Sequence, residues 1–134
     1  MRICTSVIAA VLLLANVSTS AHHSFNSFWY MDRNAAIEGV VIEVKLVNPH
    51  PLMKVEVVEA NGQKSIWNIT GRATGSGILK AGWTADTVPV GTKVKVEGFP
   101  SRQEGAKALA AGKITKMESG DVVWFGGGGG IPQG

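Results

Sequence analysis

The sequence predicts an all-β protein: a small Greek-key barrel of the OB type with five to six strands, one short helix after the third strand, and a signal-peptide helix in front. Three observations lead there. Apolar and polar residues alternate over residues 40–47, 53–57, 64–69 and 93–99, the period of a half-buried strand. Turn signals such as Asn61-Gly62 and Pro89-Val90-Gly91 separate these runs. A single segment of helical character, ended by Gly82, follows the third run. The same elements also allow an open antiparallel sandwich.

In chain order, residues 1–21 read as a secretory signal. Arg2 supplies a positive start, residues 7–15 are an unbroken apolar run, and Thr19 and Ala21 sit at the −3 and −1 positions of a small-residue cleavage site. The run is too short to span a bilayer, so cleavage after Ala21 is expected to release a periplasmic product with no membrane span. Residues 22–36 form an aromatic-rich leader (Phe25, Phe28, Trp29, Tyr30) expected to pack on the barrel, since such rings need cover. Residues 37–125 are the barrel domain. Its first strand has Gly39 near its start, a candidate bulge, and ends at Asn48-Pro49-His50-Pro51, where each proline removes a ladder donor. Met53, Val55 and Val57 mark the core face of the second strand. On the third, Ile66 faces one way and Trp67 and Ile69 the other.

Within residues 104–112, residues 106–111 would be helical on propensity alone. Gly105 and Gly112 bracket them and residues 113–117 continue extended, so a strand is assigned instead. Residues 122–125 make a last short strand, and residues 126–134 a glycine-rich flexible tail.

Composition excludes several functions. The chain has 134 residues, 13 lysines and arginines against 10 acidic residues, and a formal charge of +3. Loss of Arg2 lowers this to +2, and the cations are scattered, which is not the footprint of a nucleic-acid binder. The one cysteine, Cys4, lies in the signal, so the exported product has neither disulfide nor thiolate chemistry. Gly75-Ser76-Gly77 lacks the spacing of a nucleophile elbow, and the run from Gly126 lacks the lysine of a phosphate loop.

Several short motifs carry a resemblance. They are Ala21-His22-His23-Ser24-Phe25, Glu38-Gly39-Val40-Val41 leading to Asn48-Pro49-His50, Trp67, Ala81-Gly82-Trp83 with Asp86, and Gly91 to Gly98. In this order they resemble the DUF6152 family of small exported bacterial proteins of unknown function. The family commonly has a Phe-Asp step after the first motif, where this chain has Phe28-Trp29-Tyr30-Met31-Asp32, and a more helical segment before Gly-Trp. The resemblance implies an exported β-barrel domain and names no activity.

The histidines are the candidate metal ligands. Cleavage after Ala21 makes His22 the N-terminal residue, offering an α-amine and an imidazole, both able to release protons to a metal near neutral pH. With His23 or His50 as the third donor, the set is a three-nitrogen site suited to Cu(II). Zinc is less favoured, because no cysteine or carboxylate partner stands nearby. Chain length permits the site. The 13 steps from Ile37 to His50 span about 43 Å as a strand, and the 15 steps from His22 to Ile37 extend to about 50 Å. A leader folded back antiparallel to residues 38–48 would bring His22 to His50. The plain alternative is two frayed terminal histidines and a third that caps a loop. Met31 and Met53 are soft-ligand candidates for Cu(I), with Met53 on the core face.

Trp67, Trp83 and Trp29 are candidates to line a barrel-face pocket and Asp86 is a further candidate ligand-binding residue, against the simpler reading of core or rim rings and a turn cap. The expected function is therefore a periplasmic, non-enzymatic accessory or chaperone that holds a copper-type ion through His22, His23 and His50. The alternative is an OB-like module for a protein or small-molecule partner without metal. A copper oxidase built on the same histidines ranks last, for lack of a recognisable substrate platform.

Overall fold

The computed structural model describes residues 25–126. The expected signal helix, His22 and His23, and the tail from residue 127 onward lie outside them. Six strands form one sheet: β1 (Ala35–Lys45), β2 (Leu52–Val58), β3 (Lys64–Gly71), β4 (Lys93–Pro100), β5 (Ala108–Lys116) and β6 (Val122–Trp124). A short helix, α1 (Gly75–Lys80), joins β3 to β4. Neighbours run β3-β2-β1-β4-β5-β6, and a further parallel pairing of β3 with β5, from Asn68↔Ala108 to Gly71↔Ala111, closes β1 to β5 into a barrel. The circuit 1-2-3-5-4 with a helix after the third strand is the OB arrangement. The β6 strand extends the sheet outside it by pairing with β5.

Period two decides what the barrel buries. Val41, Met53, Val55, Ile69, Val94, Val96, Leu109 and Ile114 point inward and are at most 1% exposed. The helix α1 plugs one end with Ile78. Thr74 caps its start by accepting from the Gly77 amide. At its other end the Gly82 amide donates to the Leu79 carbonyl and the Trp83 amide to that of Ile78. This is the Schellman pattern, and it needs the left-handed Gly82 (φ 97°). It also seats Trp83 against the core, with its ring 5.0 Å from that of Phe125.

Two local expectations change in detail, and a third holds. Gly39 is not a bulge: the register shift falls between Val41 and Glu43. Gly39 is there because a Cβ would run into the Glu56 carbonyl oxygen of β2. The β2–β3 hairpin does not turn on a two-residue Asn61-Gly62 loop, which would put Asn61 at positive φ. Gly62 alone is left-handed (φ 82°), its amide donates to Glu59, and the Glu59 amide donates to Gln63, giving a three-residue loop. The Ala-rich segment 108–111 is strand, as assigned. Ala110 and Ala111 are fully buried between β4 and β3, where small side chains let three backbones approach.

The leader reaches the barrel by another route than expected. Residues 25–28 form one helical turn, and Trp29 then bridges Ser101 antiparallel, with the Tyr30 amide donating to Pro100. It thus continues the β1–β4 ladder past a turn at residues 31–34 rather than running beside residues 38–48. The reason is that β1 is claimed by β4 along its first half and by β2 along its second. The end of β4 beyond Gly98 has no β1 partner and takes the leader instead.

Candidate functional site

His50 sits in the β1–β2 loop, and the rest of that loop explains its position. Residues 46–51 are stitched to the β3–α1 connection by three bonds: Asn48 Oδ1 accepts from the Ser76 amide at 3.1 Å, the Pro51 carbonyl accepts from Gly71 at 2.8 Å, and His50 Nδ1 lies 3.0 Å from the Ala73 carbonyl. Gly75 makes the approach possible, since any Cβ there would overlap the Val47 backbone. A carbonyl can only accept, so Nδ1 of His50 carries the hydrogen and Nε2 of the neutral ring holds the lone pair. The half-buried ring also meets Phe25 edge-on, centroids 6.0 Å apart. The start of the described leader therefore lies against His50.

Arg102, from the β4–β5 loop, fastens the leader. Its Nε donates to the carbonyls of Asn26 (2.8 Å) and Trp29 (3.1 Å), and its amide to Phe28. The guanidinium also stands 4.5 Å from the Tyr30 ring centroid, with Arg33 at 4.0 Å.

Between these parts opens a cleft of about 550 Å³. One wall is the leader's Phe25, Phe28 and Trp29, and His50 stands at one end. Asn68 and Thr70 of β3 form the floor, and Ser101, Gln103 and Lys107 of the β4–β5 segment the far wall. This is the face of the barrel, flanked by the first and fourth strand connections, that OB folds use for ligands.

Lys107 also faces the other way. Its Nζ lies 2.6 Å from Glu59 Oε1 and 5.8 Å from the Trp67 ring centroid. The Lys107 ammonium first, and the Ser65 hydroxyl second, hold the Glu59 carboxyl below the usual carboxylate range. The buried indole N–H of Trp67 has no acceptor at hydrogen-bond distance among the described residues; Glu59 feels it only as the weakest of these influences.

The sequence-derived candidates end up in different places. His50 lines the cleft, while His22 and His23 lie outside the described residues. Trp83 is 2% exposed, and its Nε1 donates to the Trp124 carbonyl at 3.0 Å, so it presents no surface to a ligand. Trp67 is half-buried against the core, and Asp86 is exposed in the turn after Trp83, its amide donating to Thr84. Met53, 1% exposed, is core. Among the described residues no three histidine, cysteine or acidic side chains cluster as metal ligands, and no helix is long and apolar enough to cross a membrane. Sequence reasoning missed the cleft's polar residues, Asn68, Thr70, Ser101 and Gln103. The one available signal was their outward parity on β3 and their place in the connection flanking it.

The model of a family of unknown function, DUF6152, matches residues 10–110. The chain belongs to this family. The match takes in the leader, the barrel through β4 and the start of β5, so every cleft residue named above falls inside the family's own span. No curated protein matches the chain. Membership in DUF6152 accordingly brings no activity with it, and the chemistry must be argued from the cleft.

Proposed function

We propose that this DUF6152 protein is an exported, non-enzymatic module that holds a copper-type divalent ion, with His22, His23 and His50 as its nitrogen ligands. The observation that carries the reading is the setting of His50. The Ala73 carbonyl fixes its tautomer and leaves Nε2 as the donor, the usual outer-shell arrangement of a metal-binding histidine. Phe25, two residues after His23 in sequence, packs against the same ring. Two residues reach about 7 Å, enough for His23 to meet an ion on His50 Nε2. The N-terminal amine exists only after cleavage at Ala21, so export would complete the site.

The test is calorimetric titration of Cu(II) and Zn(II) into the exported form, its N-terminus read by intact mass, beside His22→Ala and His50→Ala. Micromolar or tighter Cu(II) binding lost in both variants is expected. Affinity weaker than ~10 µM, about −7 kcal/mol, or indifference to both substitutions, would overturn the reading. A second reading, a metal-free module that binds a small molecule or a partner, is favoured by the cleft itself, which opens on the ligand face of the barrel.

A further inference from the structure

The side chains of the cleft can be sorted by what they leave available. Phe25 and Trp29 are half-buried, their rings tilted by 35° with centroids 6.0 Å apart, and Phe28 beside them is 65% exposed. An exposed aromatic step of this kind costs free energy in water unless something flat and partly apolar covers it. Facing it, the side chains of Asn68, Thr70 and Gln103 form no hydrogen bond with any other described residue, and the Ser101 hydroxyl receives the Gln103 amide. These are neutral groups that both donate and accept.

Permanent charge is nearly absent. Among the described residues Lys107 is the one lysine or arginine on the cleft wall, and Glu59 neutralises it at 2.6 Å. The nearby Arg102 is spent on leader carbonyls and on Tyr30. Single-stranded nucleic acid, the other ligand class of this face, needs several unspent cations along its backbone.

We propose that the cleft binds a short neutral oligosaccharide, whose sugar rings lie with their C–H faces on Phe28 and Trp29 and whose hydroxyls pair with Asn68, Thr70 and Gln103. The proposal rests on the metal-free reading of the cleft and names its ligand class. A pyranose has the two surfaces the site offers partners for: an apolar C–H face and an equatorial rim of hydroxyls. The volume of about 550 Å³ lies within the ~300–1,000 Å³ range of small-ligand sites.

The experiment is an amide-resolved NMR titration of the protein in EDTA, so that metal plays no part. The probes are cellohexaose, chitohexaose and laminarihexaose, a twelve-base oligothymidylate, and an acidic decapeptide. Saturable shifts at residues 28, 68, 70 and 103 with at least one hexasaccharide are expected, and none with the oligonucleotide. Asn68→Ala, Gln103→Ala and Phe28→Ala, all at exposed positions, should each weaken that binding about fivefold, the value of one neutral contact. Lys80→Ala, outside the cleft, should not. Shifts at these residues with the oligonucleotide or peptide but with no sugar would overturn the saccharide and leave the binding cleft standing. No shift with any probe would overturn both.

Discussion

Lys107 joins two parts of the molecule through one side chain. It lines the cleft, and it also ties the start of β5 to the β2–β3 hairpin through Glu59. The Glu59 carboxyl, held low by Lys107 and then by Ser65, is a depressed acid. The sign of the linkage follows: its contribution to stability is fully present above the unfolded carboxylate value, near ~4.3, and is lost as pH falls through the lowered folded value. Replacing the ammonium, as in Lys107→Met, should move the Glu59 titration back up toward the ordinary range, with Ser65 holding part of the depression. Carbon-detected NMR of the Glu59 carboxyl across pH 2 to 6 reads this directly. An unmoved midpoint would show that Lys107 is not the main cause. His50 is placed with similar economy: one carbonyl of another loop sets its tautomer, and one ring of the leader covers its edge.

Among the elements, the leader depends most on a single residue. Its residues 26–30 touch the barrel through the bonds of Arg102, the Trp29–Ser101 bridge and the Tyr30 amide. Arg102→Ala removes both side-chain bonds and the stacking on Tyr30 at once. The Tyr30 amide should then lose hydrogen-exchange protection, while the amides of Val55 and Val96 in the barrel keep theirs, because local opening of a terminal segment need not involve the core. Equal loss at all three positions would mean that the leader is integral to the barrel. The segment 108–111 makes the opposite point. Its alanines favour a helix in isolation, yet two neighbouring strands claim its hydrogen bonds, and a helix there would break the barrel's closure.

At the scale of the whole molecule, the barrel closes through β3 and β5, and its end is sealed from outside by the chain after β6. Phe125 is fully buried and packs on Trp83. Its carbonyl accepts from the Arg72 amide, and its own amide donates to Gly112. Phe125→Ala should cost about 3–5 kcal/mol, a large part of the ~5–15 kcal/mol a domain of this kind has. Urea unfolding followed by tryptophan fluorescence should show a midpoint lowered by about a fifth or more with an unchanged slope. A loss below ~1 kcal/mol would mean that the sheet extension is dispensable.

Strand positions, the core face of β2 and β3, the Gly82 stop and the β character of residues 108–112 were legible in the sequence. Each depends on side-chain period or on a residue with few backbone options, and such constraints act within a few residues. His50 was legible as a candidate for the same reason, being a lone imidazole between two prolines. What the tertiary structure decided is everything that depends on two distant segments meeting. The leader follows the free end of β4 because β1 is already paired on both halves. Gly39 and Gly75 are small because other backbones cross them. Trp83 is a core ring because the Schellman turn aims it at Phe125. The cleft lies where Phe28, His50, Asn68 and Gln103, up to 75 positions apart, are brought to one face by barrel closure, and period within a strand carries no information about which strands close.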